Sequence, residues 1–191
     1  MHKNKALNLV RDSIDSGNVP RVHPNGFIQL DLDNTGKRRL HVWRNDLPRQ
    51  KVHTPVHNHR FDFTSVTIAG SLINTTFDLL NPDQGSPHRI WQIKYADVSE
   101  ETRLIPTTNL IGLVATNTTL MTAGTGYEFS AGSFHESAFV HNTVTMIKKS
   151  DPVPGIESEV LVPQGIEPDN TFTRSQASME SLRLKIIEAL S

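Results

Sequence analysis

Cysteine is absent from this chain, which removes disulfides, thiolate zinc sites and a cysteine nucleophile together. Any metal must therefore be held by nitrogen and oxygen. A charge excess is absent too: 19 Lys and Arg stand against 20 Asp and Glu, a formal net charge of −1. Without a global basic field or a polybasic patch, neither nucleic acid nor a membrane surface is an expected partner. No stretch approaches the roughly 20 apolar residues of a membrane span, and Met1-His2-Lys3-Asn4-Lys5-Ala6-Leu7 has no long apolar run. A cytoplasmic location is the default expectation. Internal repeats and low-complexity tracts are also lacking, and 191 residues suffice for one domain with its own core plus some extra segments.

What is present reads as mainly β. Ala6, Leu7, Val10 and Ile14 recur at helical spacing before Gly17, predicting an amphipathic helix over 3–16 with a glycine cap. Residues 26–32 and 37–43 alternate apolar and polar around Asp33-Asn34-Thr35-Gly36, which predicts a β-hairpin. Strand and turn then continue to about residue 148, with strands expected at 61–69, 72–79, 89–95, 101–105, 109–115, 119–122, 126–130, 134–140 and 143–148. So many short antiparallel strands can hide their edges only by closing or doubling, so a sandwich or barrel is expected. The expected division of a single domain 1–191 is a helix and lead-in 1–25, a barrel 26–149, an irregular connection 150–172 and a C-terminal helix 173–191. That last helix carries Met179, Leu182, Ile186, Ala189 and Leu190 on one stripe, has Thr173 or Ser175 as candidate N-cap, and should pack outside the barrel.

The stretch with chemistry in it is Val56-His57-Asn58-His59. Residues two apart on a strand share a face, so the two imidazoles can converge on one point, and Phe61, Phe63, Thr64, Val66, Thr67 and Ile68 beyond them have strand composition. The same pair also reads as ordinary histidines near a turn at Pro55; a third ligand is needed to separate the two. The letters His-Asn-His carry no weight as a nuclease motif, whose three letters come from residues far apart.

Gly124-Thr125-Gly126-Tyr127-Glu128-Phe129-Ser130-Ala131-Gly132-Ser133-Phe134-His135 adds the third ligand through a resemblance. Together the two stretches resemble the cupin superfamily, whose members carry two short motifs on a double-stranded β-helix, a jelly-roll barrel. In the first motif, His57-x-His59 and the closing Gly70 match, while Lys51 stands for the leading glycine and Phe63 or Thr64 for the glutamate. In the second, Gly124, Gly132 and His135 match in register, with Ser130 in place of the proline and Phe139 in place of the asparagine. The resemblance implies His57, His59 and His135 as metal ligands. Loss of the glutamate leaves a three-histidine face similar to the thiol dioxygenase branch, where neutral imidazoles hold Fe(II) and leave positions open for substrate and dioxygen. Asp62 is the substitute carboxylate to weigh, but alternation puts it opposite His57, His59, Phe61 and Phe63, and only a bulge would bring it in.

Imidazole suits Fe, Ni, Zn and other divalent metals, so the ligands do not name the ion; Fe(II) is favoured by the resemblance, with Ni, Zn or Mn as alternatives. Counting by twos from His135 selects Ser137, Phe139 and His141, and Tyr127 has the same parity. Tyr127 and His141 are thus candidates to orient substrate or move a proton, against a structural role for each. Arg44, Arg60 and His53 are rim candidates for a substrate carboxylate or phosphate, against plain surface charge. The expected activity is that of a metal-dependent enzyme acting on a small molecule, Fe(II) dioxygenase-like. The rivals are an isomerase or hydrolase using another metal, and a non-enzymatic binding or structural barrel. Cupins often pair through edge strands or termini, so a homodimer is the assembly the resemblance implies.

Overall fold

The computed structural model describes residues 2–49, 56–95, 101–169, 171–173 and 178–191. A first helix, α1 (Lys3–Asp15), leads into β1 (Arg21–His23), β2 (Phe27–Asp31) and β3 (Arg38–Trp43). There follow β4 (Phe63–Ala69), β5 (Ser71–Leu80), β6 (Ser86–Tyr95), the long β7 (Glu101–Thr122), β8 (Gly126–Phe129), β9 (Phe134–Phe139) and β10 (Thr143–Lys149). The chain ends with β11 (Glu159–Pro163), β12 (Thr171–Thr173) and α2 (Met179–Leu190). The strands form two antiparallel sheets, one in the order β1-β2-β3-β10-β4-β8 and the other β11-β6-β7-β5-β9, with β12 on β7.

Local chemistry accounts for the first elements. Ser16 and Gly17 close α1 by donating to the Asp12 and Ile14 carbonyls, and Gly17 takes φ +90° as a left-handed cap requires. In the β2–β3 hairpin the Asp33 carboxylate accepts from the backbone N–H of Thr35 (3.0 Å), Lys37 (3.2 Å) and Arg38 (3.1 Å), the Asx-type turn that Asp-Asn-Thr-Gly chemistry favours.

Strand parity then sorts the first sheet into two unlike faces. Ile28, Leu30, Leu40, Val42, Ile68 and Val144 point one way and are buried with Ala6 and Val10 of α1 and Leu182, Ile186, Ala189 and Leu190 of α2. Each such fully buried aliphatic side chain is worth about 1.5–3 kcal/mol. Thus both helices cover one face of this sheet. The other face, with Phe27, Gln29, His41, Trp43 and Phe63, looks into a cavity of about 250 Å³ that the second sheet closes through Ile93, Thr102, His135, Ser137 and Val160.

Three expectations change. The predicted irregular segment 150–172 contains β11, which pairs with β6 from Glu159↔Gln92 to Pro163↔His88; its Glu-Val-Leu-Val run lies between prolines and glycines that dominate a local reading. The C-terminal helix begins at Met179 with Ser178 as N-cap, its side chain accepting from the Ser181 N–H; Thr173 belongs to β12, and Ser175 lies outside the described residues. The strands expected at 101–105, 109–115 and 119–122 are one strand, β7, whose halves pair with β6 and β5 across register shifts that leave residues 107–109 and Thr116 out of the ladder.

Candidate metal centre

His57 and His59 do not sit on a regular strand, as the composition predicts, but in the extended connection just before β4. What holds them is long-range pairing. The His57 N–H donates to the His135 carbonyl (3.0 Å) and the His135 N–H returns to the His57 carbonyl (2.9 Å). On its other side this connection bridges to Val160 of β11. Asn58, 3% exposed, locks that side: its Oδ1 accepts from the Glu159 N–H (2.7 Å) and its Nδ2 donates to the Glu159 carboxylate (3.2 Å). Gly132 N–H donates to the His59 carbonyl at 2.8 Å, tying in the turn that precedes β9.

The three imidazoles converge. Their nearest ligand atoms lie within 4.8 Å of one another, and ring centroids are 4.8 Å apart for His57–His59, 4.7 Å for His57–His135 and 5.2 Å for His59–His135. Small ring rotations bring such donors to the roughly 2.0–2.1 Å of metal–imidazole bonds. The donor chemistry fits as well, because a ligand histidine must be neutral. Burial, then the charges of His57, His135, His23 and His41, hold His59 well below its ordinary 6.5. Burial and His57 do the same for His135, against a small opposing pull from the Ser133 carbonyl. Among the described residues no carboxylate joins this group.

Aromatic rings brace it: Phe129 stacks on His135 at 4.2 Å and 3°, Phe61 on His59 at 5.1 Å and 24°, and Phe63 meets both histidines edge-on. Tyr127 lines the same cavity beside Phe63 and Phe129. Burial raises its phenol above the usual value, opposed by Ser65 and Asn74 next to it, so it is a hydrogen-bond donor at neutral pH.

The other candidates separate. His141 is not in the cavity: β9 ends at Phe139, Asn142 turns left-handed at φ 63°, and exposed His141 accepts from the Asn45 N–H at 3.1 Å. Parity counting fails there because the strand stops. Asp62 keeps to the face that alternation assigns it and accepts from the Ala131 N–H at 2.8 Å, which supports the turn before His135. Arg44 is internal, its guanidinium on Asp46, Glu188 and Asn142 at 2.7–3.1 Å, and so ties α2 to the first sheet instead of facing a rim. Arg60 does line the cavity, 5.3 Å over the Tyr95 ring. His53 lies outside the described residues.

Residues not singled out from sequence also face the cavity, notably His23, Gln29, His41 and Trp43. A signal existed: in β3 His41 and Trp43 alternate with Leu40 and Val42, and a strand buried on both faces with one face polar and aromatic points to an internal site.

Two outcomes follow from this geometry. Asp62→Asn keeps an oxygen to accept from Ala131, so metal uptake should stay within about twofold of the parent, while Asp62→Ala should lose about 1 kcal/mol of stability; a large loss of metal in Asp62→Asn would make the carboxylate a ligand. The second concerns pH. Unfolded histidines titrate near 6.5 whereas folded His59 and His135 titrate well below it, so the unfolded chain binds more protons in acid and stability must fall as the pH is lowered. In metal-stripped protein the unfolding free energy from urea titration should be level above about pH 7 and decline below 6.5 towards the folded values, by up to about 1.4 kcal/mol per pH unit for each of the two, the urea midpoint falling with it. A midpoint constant down to pH 5 would contradict this.

No protein-family model matches the chain, and no curated protein does. Among solved structures, hydroquinone 1,2-dioxygenase from Sphingomonas sp. TTNP3 with 4-hydroxybenzoate bound is similar at a TM-score of 0.39 and 9% identity, over 78% of this chain and 77% of that one. No helix among the described residues is long and apolar enough to cross a membrane.

Proposed function

We propose that this chain is a metal-dependent enzyme of the cupin type, one domain folded as a double-stranded β-helix, that holds Fe(II) through His57, His59 and His135 and carries out an oxygenase-like reaction on a small molecule. The observation that supports it is the convergence of three imidazoles at a cavity, two of them, His59 and His135, held neutral by burial, with no carboxylate among the described residues of the group. Bound there, Fe(II) would keep its full positive charge and open positions at which a substrate and dioxygen can meet.

The chain's own residues supply the rest. Backbone pairing between His57 and His135 presets the donors, so ordering them costs little on binding. Phe61, Phe63 and Phe129 keep water from the donors and lower the local dielectric. Tyr127, kept protonated by burial, donates a hydrogen bond into the cavity and orients substrate. Arg60 stands at its edge to meet an acidic group.

Elemental analysis of protein purified without added metal or a polyhistidine tag, followed by oxygen-electrode assays, tests this reading. Near-stoichiometric iron with substrate-dependent oxygen uptake supports it. Zinc, nickel or manganese would replace it by an isomerase or hydrolase, and failure to take up any metal would leave a binding protein.

A further inference from the structure

The lining of the cavity has a chemistry of its own. Its charged members are Arg39, Arg60 and Lys149, and none of its described residues is Asp or Glu. Arg39 shares Asp31 with Arg21, at 2.8 Å each, so two guanidiniums face one carboxylate there. The Lys149 ammonium lies 4.8 Å over the Phe61 ring and Arg60 5.3 Å over Tyr95, which places both charges beside flat apolar surface. A low-dielectric cleft lined by one sign of charge concentrates ions of the other sign.

The wall formed by the first sheet is aromatic. Phe27 packs at 4.4 Å from both His41 and Trp43, tilted by 32° and 42°, and stacks on His23 at 4.3 Å and 10°. Phe27, His41 and Trp43 are buried at 5%, 8% and 8% exposure, so packing holds these faces still. At about 250 Å³ the space lies below the roughly 300–1,000 Å³ of most organic-ligand sites, which excludes nucleotides and oligosaccharides and suits a single ring.

From these observations we infer that the cavity takes a compact organic anion: one flat ring bearing a single acid group, the ring against Phe27 and Trp43 and the acid group towards the histidines and Arg60. The inference rests on the metal-enzyme reading for the direction of the acid group; the preferences for charge and ring belong to the lining.

Calorimetric titration of benzoate at low ionic strength, on protein as purified and on chelator-stripped protein, tests it beside three comparators: neutral benzamide, saturated cyclohexanecarboxylate and ringless acetate. Benzoate should bind at least about tenfold more tightly than benzamide and about three- to tenfold more tightly than cyclohexanecarboxylate, with acetate weakest. Arg60→Gln and Lys149→Gln should each weaken benzoate by about threefold or more and leave benzamide unchanged. Trp43→Leu, or Phe27→Leu should the first not fold, should erase the preference for the flat ring. Equal binding of benzamide, equal binding of the saturated or ringless acid, or no benzoate binding in either form overturns the inference. Protein that holds iron without these preferences would sink it and leave the metal centre standing. Protein that takes up no metal yet shows them would do the reverse.

Discussion

His135→Ala should abolish metal retention on purification, lowering affinity by about a hundred- to a thousandfold. Structural zinc bound by about four ligands is worth roughly 10–16 kcal/mol, which sets the share of one ligand at about 2.5–4 kcal/mol, and a three-ligand group has no spare donor. Of the three, His135 is the buried one on a regular strand, 3% exposed and stacked on Phe129, so a neighbour cannot swing in to replace it. The fold should survive: the backbone bonds joining His57 and His135 do not use the side chain, and His135→Gln keeps most of the volume. His57→Ala should behave alike, and His141→Ala, whose ring serves only the Asn45 N–H among the bonds described, should retain metal fully. If His135→Ala and His57→Ala both hold metal as the parent does, the centre is elsewhere.

The second large effect concerns the fold. Gly70, between β4 and β5, has φ +72°, and a Cβ there would lie 2.5 Å from Thr143 Oγ1 and 2.8 Å from Thr143 Cα. That hydroxyl is a buried node, donating towards the Val140 (2.7 Å) and Ser71 (2.8 Å) carbonyls and accepting from the Ser71 N–H (3.1 Å). Because Thr143 is fully buried and its backbone is in the way, the clash is not relieved by a rotamer change. Gly70→Ala should cost about 3 kcal/mol or more, roughly 1 for the left-handed backbone and the rest for overpacking, lowering Tm by about 6–12 °C. Gly124→Ala is the control. It shares a positive φ, +90°, but its Cβ would meet nothing within 4 Å, so about 1 kcal/mol is expected; equal losses at both sites would mean that the Thr143 contact is unimportant.

Gly70 also shows where a motif has a physical basis. Its match to the closing glycine of a cupin motif corresponds to a position where only glycine fits. By contrast, the motif's missing glutamate could not be judged from spacing alone, since Asp62 stands close by in sequence. In the structure the Asp62 carboxylate accepts from the Ala131 N–H and does not join the three-imidazole group.

What the sequence determined by itself was short in range. It carried the β-rich character, the capped helix, the Asp33 turn, the alternation that separates Leu40 and Val42 from His41 and Trp43, and nitrogen and oxygen as the only donors in a chain without cysteine. Each depends on a period of two or 3.6 residues or on turn chemistry spanning four, and these act before any long-range contact forms. The tertiary structure decided which distant segments meet. It placed 56–58 between β9 and β11, brought His135 against His57, turned His141 out past Phe139, and made β11 a strand. Those outcomes hang on pairing register and burial across segments far apart in the chain, where the free energy of one packed arrangement over another outweighs local preference and leaves no periodic trace to read.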